Sequence, residues 1–419
     1  MLAADFKSLV FVFFLVGLFL LPARVSALTS GQVVDGVTGK PISGALVTVG
    51  QKVVKSDARG QFLLEAGVAP VAARACGYRR GEQAVGPAPL LIRLQPFTPK
   101  ALYLSFYGIG SRAIRQPVLD LIATTEINAV VIDVKGDRGL IPYKSGVPLA
   151  TEIGAQAIRT CPDLKSMLAS WKEKGIYTIA RIVVFKDNPL ALARPELAVR
   201  SATGEIWRDR EKLAWVDPFR VEVWDYNIDL AVEAAQLGFD EIQFDYLRFP
   251  DFSGRLGLSR PSTEANRLTA IAGFLAEARK RLIPYNVFLA ADIFGYVCWN
   301  LDDTGIGQRL EELAPQVDYL SPMLYPSGFQ FGIPGYQNPV AHNEEIVGLS
   351  LRQAARRTGL LPIRFRPWLQ AFKDYAFDRR PFTGSEISGQ TKAAEDFGSA
   401  GWMLWNPRNV YSGEGLKKK

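Results

Sequence analysis

From Lys100 onward, short apolar runs alternate with longer stretches of helical periodicity. ALYLSFYG, NAVVIDVKGD, YTIARIVVFKD, EIQFDYLRFP, VFLAADIFGY, VDYLSPMLYP, IRFRPWLQAF and GWMLWNPR are rich in β-branched and aromatic residues and read as strands. Between them, 116–125, 164–174, 220–236, 263–281, 340–358 and 386–397 carry apolar residues at helical spacing. The link between the fifth and sixth strands is short, with 305–313 as its helix. Eight strands in βα alternation over about 300 residues predict an α/β fold, a (β/α)8 barrel. An open doubly wound sheet is the alternative. It places a Gly-rich phosphate turn after its first strand, where this chain has only the lone G-x-G of YGIGSRAIRQ.

Residues 29–96 have a different texture. GQVVDG, ALVTVG, KVVKS, GQFLLEA, VAARACGY and LLIRL are separated by Gly, Pro and Asp turns, with hairpin chemistry at Asp35-Gly36 and Thr38-Gly39. No helical period interrupts them, so a small antiparallel all-β sandwich is predicted. The Pro-punctuated joint QPFTPK separates it from the barrel.

Ahead of both, Lys7 precedes the apolar run SLVFVFFLVGLFLL, then Pro22 and the small-residue end Val25-Ser26-Ala27. The apolar run is shorter than the ~20 residues of a spanning helix, and the pattern is that of a signal peptide. The expected organisation is a signal peptide over 1–27, the sandwich over 28–96, the barrel over 97–413 and a basic tail over 414–419. A secreted or periplasmic protein follows. Contact with a membrane is expected only through the signal segment, if it stays uncleaved.

Composition narrows the chemistry. Lys and Arg number 49 against 42 Asp and Glu, a net charge of +7. The excess is spread along the chain. Its one dense run, Lys417-Lys418-Lys419, reads as a frayed, solvated terminus. No nucleic-acid motif accompanies it, and no nucleic-acid partner is expected. Cys76, Cys161 and Cys298 are far apart and odd in number, which is no disulfide framework. His342 is the only histidine, and it opens a helical stretch at the surface. A Ser–His–Asp or Cys–His arrangement would have to use it, and no G-x-S-x-G elbow precedes a helix. His-rich zinc sites are excluded, and neither metal nor cofactor is expected. Acid–base chemistry must rest on carboxylates, Lys or Tyr.

FDEIQFDYLRFPDF, residues 239–252, then raises a question. Ile242, Phe244, Tyr246 and Leu247 mark a buried strand, yet Gln243 and Asp245 interrupt it, and an unpaired buried carboxylate costs several kcal/mol. In a barrel, successive residues alternate between helix layer and lumen. Gln243 and Asp245 then face the lumen, with Asp245 near the C-terminal strand end, where barrel enzymes carry their chemistry. Other strands repeat the pattern. Asp133 and Lys135 end the second; Arg181 lies on the third, with Lys186 and Asp187 just past it. Asp292 ends the fifth and Tyr325 the sixth; Arg366, Trp368 and Gln370 share one face of the seventh; Trp405 and Asn406 end the eighth. The opposite strand ends read as mostly plain.

Two carboxylates among aromatics and Arg, without His, suit glycoside hydrolysis. One carboxylic acid protonates the leaving oxygen, and the other attacks the anomeric carbon or activates water. Asp245 and Asp292, from neighbouring strands, are the predicted catalytic pair. Asp133, Lys135, Arg181, Gln243, Arg248, Asp303, Tyr325, Trp368, Gln370, Trp405 and Asn406 are the predicted substrate-binding set. Trp368, Trp405 and Tyr325 are its sugar-stacking platforms. Plainer roles stand beside these: a lumen ion pair of Asp245 with Arg181 or Arg248, a structural hydrogen bond for Asp292, core packing for the aromatics. Asp217 suits a cap of the following helix, and Asp302 and Asp303 suit loop and cap positions. The expected partner is a polysaccharide or oligosaccharide. The rival readings are a non-catalytic glycan-binding barrel and an envelope assembly protein whose working part is the sandwich.

Two resemblances add to this reading. GQVVDGVTGKPISGALVTV, SDARGQFLL and ACGY resemble the carboxypeptidase-regulatory-like domain, a transthyretin-like sandwich of secreted bacterial proteins. That resemblance implies an accessory or interaction module, with an envelope partner. IQFDYLRFP, ADIFGY, DDTGIGQ, VDYLSPMLYPS, RPWLQAF and GWMLWNP, in this order between Lys100 and Tyr411, resemble a bacterial family of glycoside hydrolase domains of TIM-barrel fold. This implies that fold and that reaction class. The family is distantly similar to the α-amylase clan, which implies Asp245 as nucleophile, Asp292 as acid/base and a retaining course. The chain departs from the clan pattern at Gln243, where the clan has Arg, and at Asp292, a methylene shorter than Glu.

Overall fold

The computed structural model describes residues 28–65, 69–84, 86 and 89–419, so the expected signal peptide lies outside the described residues. Among these, seven strands come first: β1 (Leu28–Asp35), β2 (Leu46–Val49), β3 (Lys52–Lys55), β4 (Gln61–Glu65), β5 (Val71–Arg74), β6 (Gly81–Gln83) and β7 (Leu90–Leu94). They form two sheets, β4-β1-β7 and β3-β2-β5-β6. Alternate side chains meet between the sheets: Val33, Phe62 and Ile92 from the first, Val47, Val71 and Ala73 from the second. One pairing corrects the antiparallel expectation. β1 and β7 run parallel, with Gly31 beside Leu90. A parallel pair needs a long crossover, and the second sheet lies within it. β6, a short and mostly polar Gly-Glu-Gln, carries no strand pattern in the sequence.

The barrel follows. Its strands are β8 (Lys100–Leu104), β9 (Ala129–Lys135), β10 (Tyr177–Val183), β11 (Glu241–Asp245), β12 (Phe288–Phe294), β13 (Tyr319–Leu324), β14 (Trp368–Gln370) and β15 (Trp402–Trp405). All pair in parallel, and β15 closes on β8 with Met403 opposite Ala101. Closure rules out the open doubly wound sheet. Outward residues such as Val130, Ile132, Ile242 and Phe244 bury against the helix layer. Helices Arg112–Thr124, Leu164–Glu173, Val221–Leu237, Glu264–Leu282, Asn343–Thr358 and Gly384–Phe397 form where the helical spacing predicts, and the link after β12 shortens to Leu310–Leu313. Thr263 caps one helix by accepting the Asn266 amide, and Thr383 with Glu386 forms a capping box on another. None of the described helices is long and apolar enough to cross a membrane.

After β15 the chain runs back along the first barrel helix. The Lys417 amide donates to the Glu126 carboxylate at 2.9 Å, and the Glu126 amide to the Lys417 carbonyl at 2.8 Å. The basic tail is therefore docked by its backbone, not frayed, because that helix end leaves carbonyl groups in need of donors. Lys419 serves the Thr124 carbonyl in this way, at 3.1 Å.

The sandwich sits on the N-terminal end of the barrel. Cys76 and Phe97 pack on a lumen layer that includes Tyr177, Phe288 and Tyr319. Arg74 reaches Asp318 at 3.3 Å and Asn286 at 3.5 Å, and the Gly77 amide donates to the Tyr319 hydroxyl at 3.2 Å. Just inside, Arg366 and Glu241 form a fully enclosed ion pair at 2.6 Å. The Tyr177 hydroxyl donates to Glu241 at 3.0 Å, and the Tyr319 ring lies 4.1 Å from the guanidinium. The strand ends at this floor are thus not plain. β14 begins only at Trp368, which leaves Arg366 at the floor and not at the opposite mouth.

Candidate active site

Asp245 ends β11, and Asp292 lies near the end of β12, the next strand round the barrel. Gln243 pairs with Ala290, two residues below each, so the two carboxylates project into the lumen at the same height.

Their surroundings differ. Arg181 reaches across from β10 and places Nε 2.8 Å and Nη2 2.6 Å from Asp245 Oδ2. The Tyr246 amide donates to Asp245 Oδ1 at 2.6 Å. The same guanidinium binds Asp133 at 2.7 Å and Asp137 at 2.8 Å. One enclosed cation therefore serves three carboxylates. The rings of Tyr103 and Trp405, stacked on each other 3.9 Å apart, lie to one side of it at 5.5 and 4.9 Å. Asp133 also accepts the Tyr103 hydroxyl at 2.7 Å and the Phe106 amide at 3.1 Å. Burial pushes Asp133 up to about 6, against the pull of Arg181.

Among the described residues, no cation is bound to Asp292. The Trp368 indole donates to its Oδ1 at 2.8 Å, and its Oδ2 is buried without a partner. Burial, and then the charge of Asp245, pushes its carboxyl well above the usual range. Such surroundings favour the neutral acid. Tyr325, just past β13, packs on Phe372; burial and the charges of both aspartates raise its phenol. A cleft of about 220 Å³ opens beside the cluster, lined by Tyr103, Phe106, Asp133, Asp137, Arg138 and Trp405 among others.

Several predicted ligands do not join this cluster. Strand alternation puts Lys135 beside Asp133, but the β9–β10 ladder slips by one residue. Arg181 opposes Asp133, and Ile182 opposes Lys135. The bulge turns Lys135 toward the helix layer. There its ammonium pairs with Asp187 at 2.5 Å, 5.1 Å from the Tyr226 ring, with both charged side chains fully enclosed. Asp303 binds Arg267 through both oxygens, at 2.6 and 2.8 Å, and accepts the Gly305 and Gly307 amides. It anchors a loop to helix Glu264–Leu282. Gln370 donates to Ser327 at 2.7 Å and to the Phe372 carbonyl at 3.1 Å; Asn406 donates to the Ala371 and Val410 carbonyls at 2.6 and 2.9 Å. Both side chains hold loops and have little capacity left for a sugar. Trp368 is 1% exposed, so it supports Asp292 and offers no stacking face. Gln243 is fully buried a layer below Asp245, donating to Ser321 at 3.2 Å.

Arg181, Asp133, Tyr325 and Trp405 do reach the mouth. Arg248 lies at the rim, 5.0 and 5.2 Å from the Trp215 and Tyr246 rings. Asp217 does not cap the following helix. It accepts the Phe219 amide at 2.9 Å and the Ser259 amide at 2.6 Å, tying two loops together. Tyr103 and Asp137 are members of the cluster that the sequence reading omits. Alternation from Ala101 puts Tyr103 in the lumen, a usable signal; Asp137 sits in a turn, where no period applies. Among the described residues, no group of three or more His, Cys, Asp or Glu is placed to hold a metal ion.

Residues 101–411 match the family described as "Putative glycosyl hydrolase domain". No curated protein matches the chain. Among solved structures, the glycoside hydrolase domain of PgaB (BpsB) from Bordetella bronchiseptica aligns at 15% identity over 75% of this chain and 95% of its own, with a TM-score of 0.56. That likeness is one of fold. A hypothetical protein from Ruminiclostridium thermocellum ATCC 27405 aligns at 40% identity over 46% of this chain and 96% of its own, with a TM-score of 0.41.

Proposed function

The chain belongs to this glycosyl hydrolase domain family, and from that premise we propose that it cleaves O-glycosidic bonds of a polysaccharide or oligosaccharide with Asp245 and Asp292. The observation that carries the assignment is the contrast between two lumen carboxylates on adjacent strands. Asp245 takes hydrogen bonds on both oxygens, two of them from a guanidinium, which is the setting of an anion. Asp292 is buried with one indole N–H and a free oxygen, the setting of a neutral acid. Two carboxylates held in such unlike surroundings divide acid and base roles between them. Asp292 gives its proton to the glycosidic oxygen as the bond to the anomeric carbon breaks. Asp245 attacks that carbon, and water later releases the sugar with Asp292 as base. Retention of configuration follows from this order of events. The apolar N-terminal run supports delivery to the cell envelope.

A second assignment of the acid has its own observation. Asp133 lines the open cleft and is pushed up to about 6 by burial. Its oxygens already accept three donors, which favours a holding role over proton donation.

The test is sugar release across a broad glycan panel by the full chain and its Asp245→Asn, Asp292→Asn and Asp133→Asn variants. The first two should lose about 10²–10⁴-fold in kcat, and the anomer released first, read by NMR, should keep the substrate's configuration. Equal background release by all four proteins rejects the reading. A full loss in Asp133→Asn with activity retained in Asp292→Asn transfers the acid role to Asp133.

A further inference from the structure

A second groove opens on the same face of the barrel. Its volume is about 1030 Å³, and its walls come from the loops after β10, β11 and β12. Loops that follow barrel strands emerge at the C-terminal mouth, so the groove and the carboxylate cluster share that face. Its charge is one-sided: Arg200, Arg255, Arg260 and Arg267 line it, and no carboxylate does. Arg267 is neutralised by Asp303 at 2.6 Å. Arg200 donates to the Gly204 and Pro195 carbonyls at 3.1 and 2.5 Å and forms no ion pair among the described residues. Arg255 and Arg260 are exposed and form no ion pair among the described residues.

The groove is held in shape. Arg200 and Gly257 exchange backbone hydrogen bonds of 2.9 and 2.8 Å, and Asp217 fixes the Ser259 amide. Packed rings, with Trp215 buried among them, tie the groove wall to the strand that carries Asp245. Phe252, 48% exposed in the groove, lies 5.5 Å from Trp207. Trp207 lies 6.4 Å from Trp215, and Trp215 lies 5.7 Å from Tyr246, the residue next to Asp245.

We propose that this groove is a distal subsite for the acidic groups of a charged polysaccharide, carboxylate, sulfate or phosphate, carried several sugar units from the bond that is cut. Calling that polymer the substrate rests on the hydrolase reading; the binding itself does not. Exposed guanidinium groups in a groove without acids create a positive potential that draws anions, and their forked donors fit oxyanions. Phe252 offers a sugar ring an apolar face. A nucleic acid meets the same charge; the glycosyl hydrolase family of the barrel is what favours a glycan.

The full chain carrying Asp245→Asn, which should consume no probe, is tested by affinity electrophoresis. The acidic probes are carboxymethylcellulose and polygalacturonate. Their neutral counterparts are hydroxyethylcellulose and fully methyl-esterified polygalacturonate, and single-stranded DNA is the non-glycan polyanion. Both acidic glycans should bind at least about tenfold more tightly than their counterparts, and added salt should weaken them. Arg255→Ser with Arg260→Ser should erase the difference. Equal binding of acidic and neutral polymers, a difference that survives the double substitution, or tighter binding of DNA each overturns the proposal. On any acidic glycan the unsubstituted chain cleaves, the double substitution should raise KM more than it lowers kcat. If that chain cleaves nothing while charge-dependent binding persists, the hydrolase reading falls and the groove stands. If it cleaves neutral glycans and ignores the double substitution, the groove falls and the hydrolase reading stands.

Discussion

Arg181→Met separates the electrostatic account of the mouth from a packing account. Met fills much of the same volume but removes the cation. Arg181 is enclosed, and the side chains of Asp133 and Asp245 are only 3% and 8% exposed, whereas that of Asp137 is 39% exposed. Asp137 can turn to water, so its share is small, about 0–1 kcal/mol. Asp133 and Asp245 cannot, and stripping the partner from a buried charge costs about 3–5 kcal/mol. The loss should depend on pH with a definite sign. Asp133 is already raised to about 6 from 3.8, so its contribution to stability is full below the unfolded value and is lost as pH rises through the folded one. Arg181 pulls Asp133 down, so removing it pushes the folded value higher and deepens that loss. Urea unfolding of the full chain at about pH 4 and about pH 8 measures it. The variant should lie close to the parent at the acid end and fall about 3–5 kcal/mol below it at the alkaline end. A deficit under about 1 kcal/mol at the alkaline end, or the same deficit at both, refutes the reasoning.

Two further outcomes follow from named contacts. Trp368→Phe keeps the ring but removes the one hydrogen bond to Asp292, which lowers its carboxyl; the alkaline limb of the pH–rate profile should therefore move up, and an unmoved limb would show that Trp368 only packs. Lys135→Met should cost about 3–5 kcal/mol in urea unfolding by stranding Asp187. Adding Asp187→Asn should recover much of it while keeping an acceptor for the Leu190 amide, and a double variant no better than the single one would rule out charge as the cause.

The barrel is legible because its strands obey two local rules, period-two alternation and an apolar helix between neighbours. Asp245 stands out by breaking an apolar run at the lumen parity. The errors fall where a local rule meets a distant residue. Lys135 keeps Asp133's parity in the sequence, and only the ladder with β10 shows the slip that turns it away. Arg366 lies two residues before Trp368, but its partner Glu241 is 125 residues away, and nothing local separates floor from mouth. Gln370 and Asn406 look like sugar ligands because their amides suit hydroxyls. In the folded protein those amides serve backbone carbonyls that alternation leaves uncounted.

The stopper on the barrel floor has a consequence for the order in which the chain is made. Arg74 finds Asn286 and Asp318 only 212 and 244 residues later. At about 5–20 residues per second, a finished sandwich waits roughly 10–50 s for its docking face to be synthesised. During that interval Cys76 and Phe97 lack the lumen layer they cover, and the growing barrel lacks its plug. A ribosome that stalls before β13 therefore leaves two unmatched apolar surfaces on one nascent chain, a species well suited to capture by a chaperone or by its own kind.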